Sequence, residues 1–329
     1  MEIIDKSGIV KLLTAASGSI DADLPADIEV FIENGVLHYH VKTSDINMQD
    51  NRAAFESWVI VLKAYLPEIK YVEVDFTEPQ ITGSNHVGPD FGHYNRFLYR
   101  LHNMTRLFPD WFFIASSKKK IVSDFMCWLA SNRCLLNHSM KDKVSVIGTK
   151  HKERETESWF AFEDKDKLIY RLWDIDEGKL FIQVPVGVFY NEIATPNIIF
   201  PGGNSAIDLL GISCDGEKLH LIELKRGKNT DIGVISEILF YTAVIYDTCV
   251  SKNPLFAFGR YKNTKDTKEM LALRNGGKPF RRLAAHILAE GYHSLFKPRV
   301  EEIIAVGLSS LGIGFSRQLY DYEKKALIP

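Results

Sequence analysis

The stretch AIDLLGISCDGEKLHLIELKRG, residues 206–227, decides how this chain reads. Two apolar runs flank Asp215-Gly216, a dipeptide suited to the left-handed backbone of a tight hairpin turn. A two-residue turn there sets Cys214 opposite Glu217 and, counting outward, Asp208 opposite Glu223. Directly opposed residues share a face with Cβ atoms about 4.5–5.5 Å apart. The period of two puts Lys225 on that face as well, opposite the small Ala206. The rest of the face, Leu210, Ile212, Leu219 and Leu221, is apolar, and so is the opposite face at the level of the acids, Ile207, Leu209, Ile222 and Leu224. The charged end of the hairpin is therefore expected to be buried on at least one side.

Opposed carboxylates in a partly dry site repel each other and raise each other's pKa unless a cation lies between them. Mg²⁺ prefers one or two carboxylates, completed by water and phosphate oxygens. Asp208 and Glu223 supply that number, Mn²⁺ is the alternative ion, and the backbone carbonyl of Leu224 is a candidate further ligand. An ammonium at Lys225 would lower the pKa of an attacking water or stabilise charge on a phosphate. The plainer reading is a pair of edge-strand acids neutralised by Lys225.

At these residues the sequence resembles the PD-(D/E)xK nuclease superfamily, in which an acid on one strand precedes an E-x-K or D-x-K on the next, followed by a helix. Here these are Asp208, then Glu223-Leu224-Lys225, then a helix expected from about Asp231 to Asp247. Ile207 stands where the superfamily's name has proline. The specific match spans some twenty residues, and as a fold it would cover about 155–310. The resemblance implies a restriction-endonuclease-like mixed sheet flanked by helices. It further implies metal held by Asp208 and Glu223, Lys225 assisting the attacking water, and hydrolysis of phosphodiester bonds, with DNA favoured over RNA and endonuclease over exonuclease. Such proteins often carry another acid on the helix before the sheet, for which Glu157 and Glu163 are the candidates. Glu237 is the candidate polar residue on the helix after the motif. A non-cleaving nucleic-acid-binding module on the same fold and a partner-binding protein are the competing readings.

At 329 residues the chain exceeds a usual single core. With 46% hydrophobic and 25% charged residues it excludes long disorder and fibrous repeats. We read an N-terminal α/β domain of unassigned role over 1–150 and a nuclease-like domain over 151–329, an α/β (α+β) class overall, with the charged run 148–157 as linker or helix start. No membrane partner and a cytoplasmic location are expected, because the N-terminus carries acids and no later run nears 18 apolar residues. A homodimer is compatible with this reading. The four cysteines fall at no CxxC spacing and read as reduced and structural.

The net charge of −2 argues against a basic coat, yet from Lys252 to Arg299 eleven Lys and Arg face three acids. Phosphate contact is one reading of that surplus, with Lys278, Arg281 and Arg282 as candidate nucleic-acid contacts; a solvated face is the other. Upstream, Asn34-Gly35 predicts a hairpin. Helices are expected over 53–66, 94–108 and 119–136, and strands over 71–76 and 111–115. Around the motif, 179–188 and 301–308 read as strands. His38 and His40 share a strand face without a third ligand, so a cross-strand role is expected of them.

Overall fold

A computed structural model describes residues 3–19, 22–48, 50–81, 86–138, 152–202, 205–227, 231–261 and 265–328. The first half builds a five-stranded sheet from β1 (Ile4–Asp5), β2 (Ile28–Glu33), β3 (Val36–Val41), β4 (Tyr71–Phe76) and β5 (Phe112–Ile114), in sequential order. Helices α1 (Lys6–Ser17), α2 (Phe55–Tyr65), α3 (Gly92–Leu107) and α4 (Ser116–Ser131) are interleaved with them. The expected hairpin turns on Asn34 and Gly35, both left-handed, with φ of 51° and 78°. His38 and His40 face the acids of β4, at 3.3 Å from Glu73 and 3.5 Å from Asp75, in the cross-strand role expected.

After β6 (Cys134–Leu136), the chain forms α5 (Lys152–Ser158), a π-helical turn over Trp159–Glu163, and α6 (Leu168–Trp173). Next come β7 (Ile175–Pro185), β8 (Val188–Tyr190), β9 (Ile198–Phe200), β10 (Ala206–Ser213) and β11 (Lys218–Lys225). Helix α7 (Val234–Ile245) runs on into a π-helical segment, Tyr246–Val250. Then follow β12 (Phe256–Phe258), α8 (Lys268–Leu273), β13 (Arg282–Ala289), α9 (Pro298–Ser309), β14 (Ile313–Asp321) and β15 (Ala326–Ile328). A six-stranded sheet takes the order β15-β14-β13-β11-β10-β7, and a small one the order β12-β6-β8-β9. The class is α+β. The expected division near residue 150 falls outside the described residues, and the small sheet joins β6, which precedes it, to three strands that follow it.

Two expectations are corrected. The helix read over 119–136 stops at Ser131, where Asn132 turns extended (φ −119°, ψ 156°), and Cys134–Leu136 pairs as a strand with β12 and β8. The segment 301–308 is helix α9: Pro298 opens it, and Val300, Ile304 and Leu308 bury one face at helical spacing. The strand beside β11 is β13 instead, inside the stretch read as basic.

The motif hairpin sits in the interior of its sheet. β10 pairs antiparallel with β7 and β11, and β11 pairs in parallel with β13, so neither is an edge. Both faces are covered, which is why both strands read as nearly continuous apolar runs. Leu210, Ile212, Leu219 and Leu221 join the large core shared with the first half, while Leu209, Ile222 and Leu224 pack with Trp159, Phe160 and Tyr170. Helix α7 is apolar almost all round because it is buried between the two halves. The hydroxyls of Ser57 on α2 and Ser236 on α7 meet at 2.8 Å in that interior, with Ser236 one residue before Glu237. Among the described residues all cysteines are free, Cys134 and Cys249 buried and Cys127 and Cys214 exposed. No described helix is long and apolar enough to cross a membrane.

Candidate metal-binding active site

The site is a row across three adjacent strands. Leu209 pairs with Ile222, Leu210 with Leu221 and Ile212 with Leu219, the register the sequence predicts, although four residues, Cys214–Glu217, make the turn where two were expected. One step past the ladder lie Asp208 and Glu223. There Asp208 Oδ2 accepts the N–H of Leu224 at 2.8 Å. Leu224 thus turns its amide toward β10, and the carbonyl of a strand residue lies on the same side as its N–H. On the other flank, Val184 pairs with Ile207 and Ile182 with Leu209, so Gln183 of β7 faces Asp208.

Lys225 reaches back along the same face. Its Nζ donates to Glu223 Oε1 at 2.8 Å and meets Glu237 Oε2 at 2.9 Å, and its partner on β13 is the small Ala289. Burial opposes its charge, but Glu223, Glu237 and Asp208 outweigh burial and hold the ammonium's pKa well above its ordinary value. Glu157 enters from α5: Gln183 Nε2 donates to its two carboxylate oxygens, each at 2.9 Å, and lies 3.3 Å from Asp208 Oδ1.

The acids are displaced in one direction. Burial lifts Asp208 to about 6, with Glu153 and Glu237 adding to it against Lys225 and the Leu224 amide. Burial and then Asp208 lift Glu157 to about 8, and the same two causes hold Glu223 well above the carboxylate range. Glu223 is 3% exposed, and its Oε2 has no hydrogen-bond partner among the described residues. A buried carboxylate oxygen left unmatched costs about 1–3 kcal/mol, so ionising the row calls for further positive charge. Among the described residues no three Asp, Glu, His or Cys side chains form a complete metal cage. Two carboxylates, one of them with an orphaned oxygen, and a nearby carbonyl fit a cation that fills the rest of its shell with water and substrate oxygens, as Mg²⁺ does.

The structure brings Asp208, Glu223, Lys225, Glu157 and Glu237 together. Glu163 is not brought into these contacts: it is exposed at the end of the π-helical turn. Of Lys278, Arg281 and Arg282, the last two are displaced. Arg282 is in register with Lys218, five residues down the strand from Glu223, or about 17 Å at strand rise. Arg281 pairs with Glu217 at 2.9 Å and Arg282 with Asp215, so two of the three expected phosphate contacts already neutralise the hairpin turn. Gln183 was missed by sequence reasoning, although it is the one polar residue in Leu180–Val186.

Comparison of the chain with models of protein families, with curated proteins and with solved structures returned no match.

Proposed function

We propose that the chain is a metal-dependent nuclease of the PD-(D/E)xK kind that hydrolyses phosphodiester bonds, with DNA the favoured substrate and Mg²⁺ or Mn²⁺ the cofactor. The observation that carries this reading is the orphaned, buried Glu223 oxygen beside Asp208, with an ammonium 2.8 Å from the other Glu223 oxygen. Carboxylates crowded in this way are poor structural elements and good cation ligands.

Asp208 and Glu223 would hold the cation, with the Leu224 carbonyl on the same side as its amide. A divalent ion bound there supplies Lewis acidity toward the phosphate and the attacking water. Lys225 works as a fixed charge. Because its acidic neighbours keep it protonated, it is a hydrogen-bond donor to developing negative charge on a phosphate oxygen and not a base that takes the water's proton. Glu237 positions it. An intact acid, acid and lysine set favours cutting over binding alone.

The test is incubation of a supercoiled plasmid with the full chain in Mg²⁺ or Mn²⁺, with and without chelator. Nicking or linearisation that stops with chelator is the expected result. An intact plasmid alongside retained DNA binding would leave the non-cleaving module as the better reading.

A further inference from the structure

Gln183 combines two features that packing alone does not explain. Its backbone is left-handed, with φ of 51°, in the middle of a strand whose neighbours on both sides keep unbroken register with β10. A non-glycine residue in that conformation costs on the order of 1 kcal/mol or more, and such strain collects where a side chain must be aimed. Its target is unusual. One amide nitrogen lies 2.9, 2.9 and 3.3 Å from three carboxylate oxygens belonging to two different acids, Glu157 and Asp208. An amide has two hydrogens for these three acceptors and carries no charge. It bridges the acids without neutralising them.

We propose that Gln183 is a placeholder for the cation: its amide ties Asp208 to Glu157 and releases Asp208 when a divalent ion binds between Asp208 and Glu223. This rests on the metal reading of the row. The strained backbone then has a purpose, because it carries the amide to the point where the two acids converge. The neutrality of the amide has one as well, since a permanent charge there would exclude the ion. Gln183 is a positioning residue that acts through Glu157 and Asp208.

Two substitutions separate this from a merely structural role, and both keep a non-glycine residue at the left-handed position. Gln183→Met removes the hydrogen bonds that metal must displace. Gln183→Lys places a permanent ammonium among the same oxygens. Free Mn²⁺ is measured by electron paramagnetic resonance in titrations of the full chain, and thermal unfolding is followed in chelator. Gln183→Met is expected to bind Mn²⁺ at least about threefold more tightly, as loss of a competing hydrogen bond requires, and to melt below the wild type in chelator. Gln183→Lys is expected to lose at least about tenfold in Mn²⁺ affinity, or 1.4 kcal/mol, and to melt above the wild type. Unchanged or weaker binding by Gln183→Met, or wild-type binding by Gln183→Lys, overturns the placeholder role while the metal site stands. A wild-type chain that takes up no Mn²⁺ overturns the site and the placeholder together.

Discussion

The β10–β11 hairpin carries two acids at each end, and the two ends treat them oppositely. At the turn, Asp215 accepts from the Ser213 hydroxyl, the Glu217 amide and Arg282, and these hold its pKa down at about 2. Glu217 has Arg281. Both acids there are exposed or half-exposed and already answered. At the open end, Asp208 and Glu223 are pushed up, Lys225 is shared between Glu223 and Glu237, and one buried oxygen has no partner among the described residues. Acids thus make a closed structural device at one end and an unmatched one at the other. The difference is burial, which makes each unmatched charge costly.

The largest expected effect that would sharpen this contrast is on Lys225. Lys225→Met keeps the stem and deletes the charge, so single-turnover cleavage should fall at least about a hundredfold, near 2.7 kcal/mol of barrier. Substrate affinity measured in Ca²⁺ should change far less. Equal losses in both would make Lys225 a structural counter-charge like Arg282.

Glu237→Gln should cost about tenfold at neutral pH, the scale of one charge-assisted contact. Because Glu237 helps raise the pKa of Lys225, the alkaline limb of the rate profile should move to lower pH. An unmoved limb would separate Glu237 from Lys225.

The third expectation concerns stability. Glu157 has an ordinary value of 4.5 and a folded value of about 8. Between those values the folded state binds more protons than the unfolded state, so the metal-free protein loses stability as pH rises through that window. Glu157→Gln should melt like the wild type at pH 5 and above it at pH 9, by thermal unfolding in chelator. A parallel pH dependence in both would mean that Glu157 is not held protonated.

The smallest effect is expected at the turn. Replacing Lys278, Arg281 and Arg282 together by glutamine should leave cleavage within about twofold, because phosphate contacts matter only where they touch substrate. A tenfold or greater loss of affinity that steepens with salt would bring the turn into the substrate path.

How much of this was legible follows from range. The hairpin register could be read because a turn dipeptide and an alternating pattern are local. They placed Asp208, Glu223 and Lys225 on one face even though the turn proved longer. β13 was hidden because its apolar run, Leu283–Ala289, is flanked by the bases that drew attention. Helix α9 was misread because a short apolar run does not separate strand from helix, and Pro298 was the signal that does. Glu157 and Glu163 stood equal in the sequence, and only the structure leaves the second exposed at the end of the π-helical turn that begins at Trp159. Gln183 depends on pairing between strands and on a left-handed residue inside one of them. No local pattern announces that.

The central claim is that the open end of the hairpin is built for a divalent cation. Calorimetric titration of Mn²⁺ into the full chain, Asp208→Ala and Glu223→Ala tests it most directly, at pH 6 and pH 8 in buffers of different ionisation heat. The account predicts binding that tightens at the higher pH and releases protons as the raised carboxyls ionise. It predicts the loss of that binding in both variants, with their cooperative unfolding retained. The same isotherm in the wild type and both variants would place any metal elsewhere and contradict it.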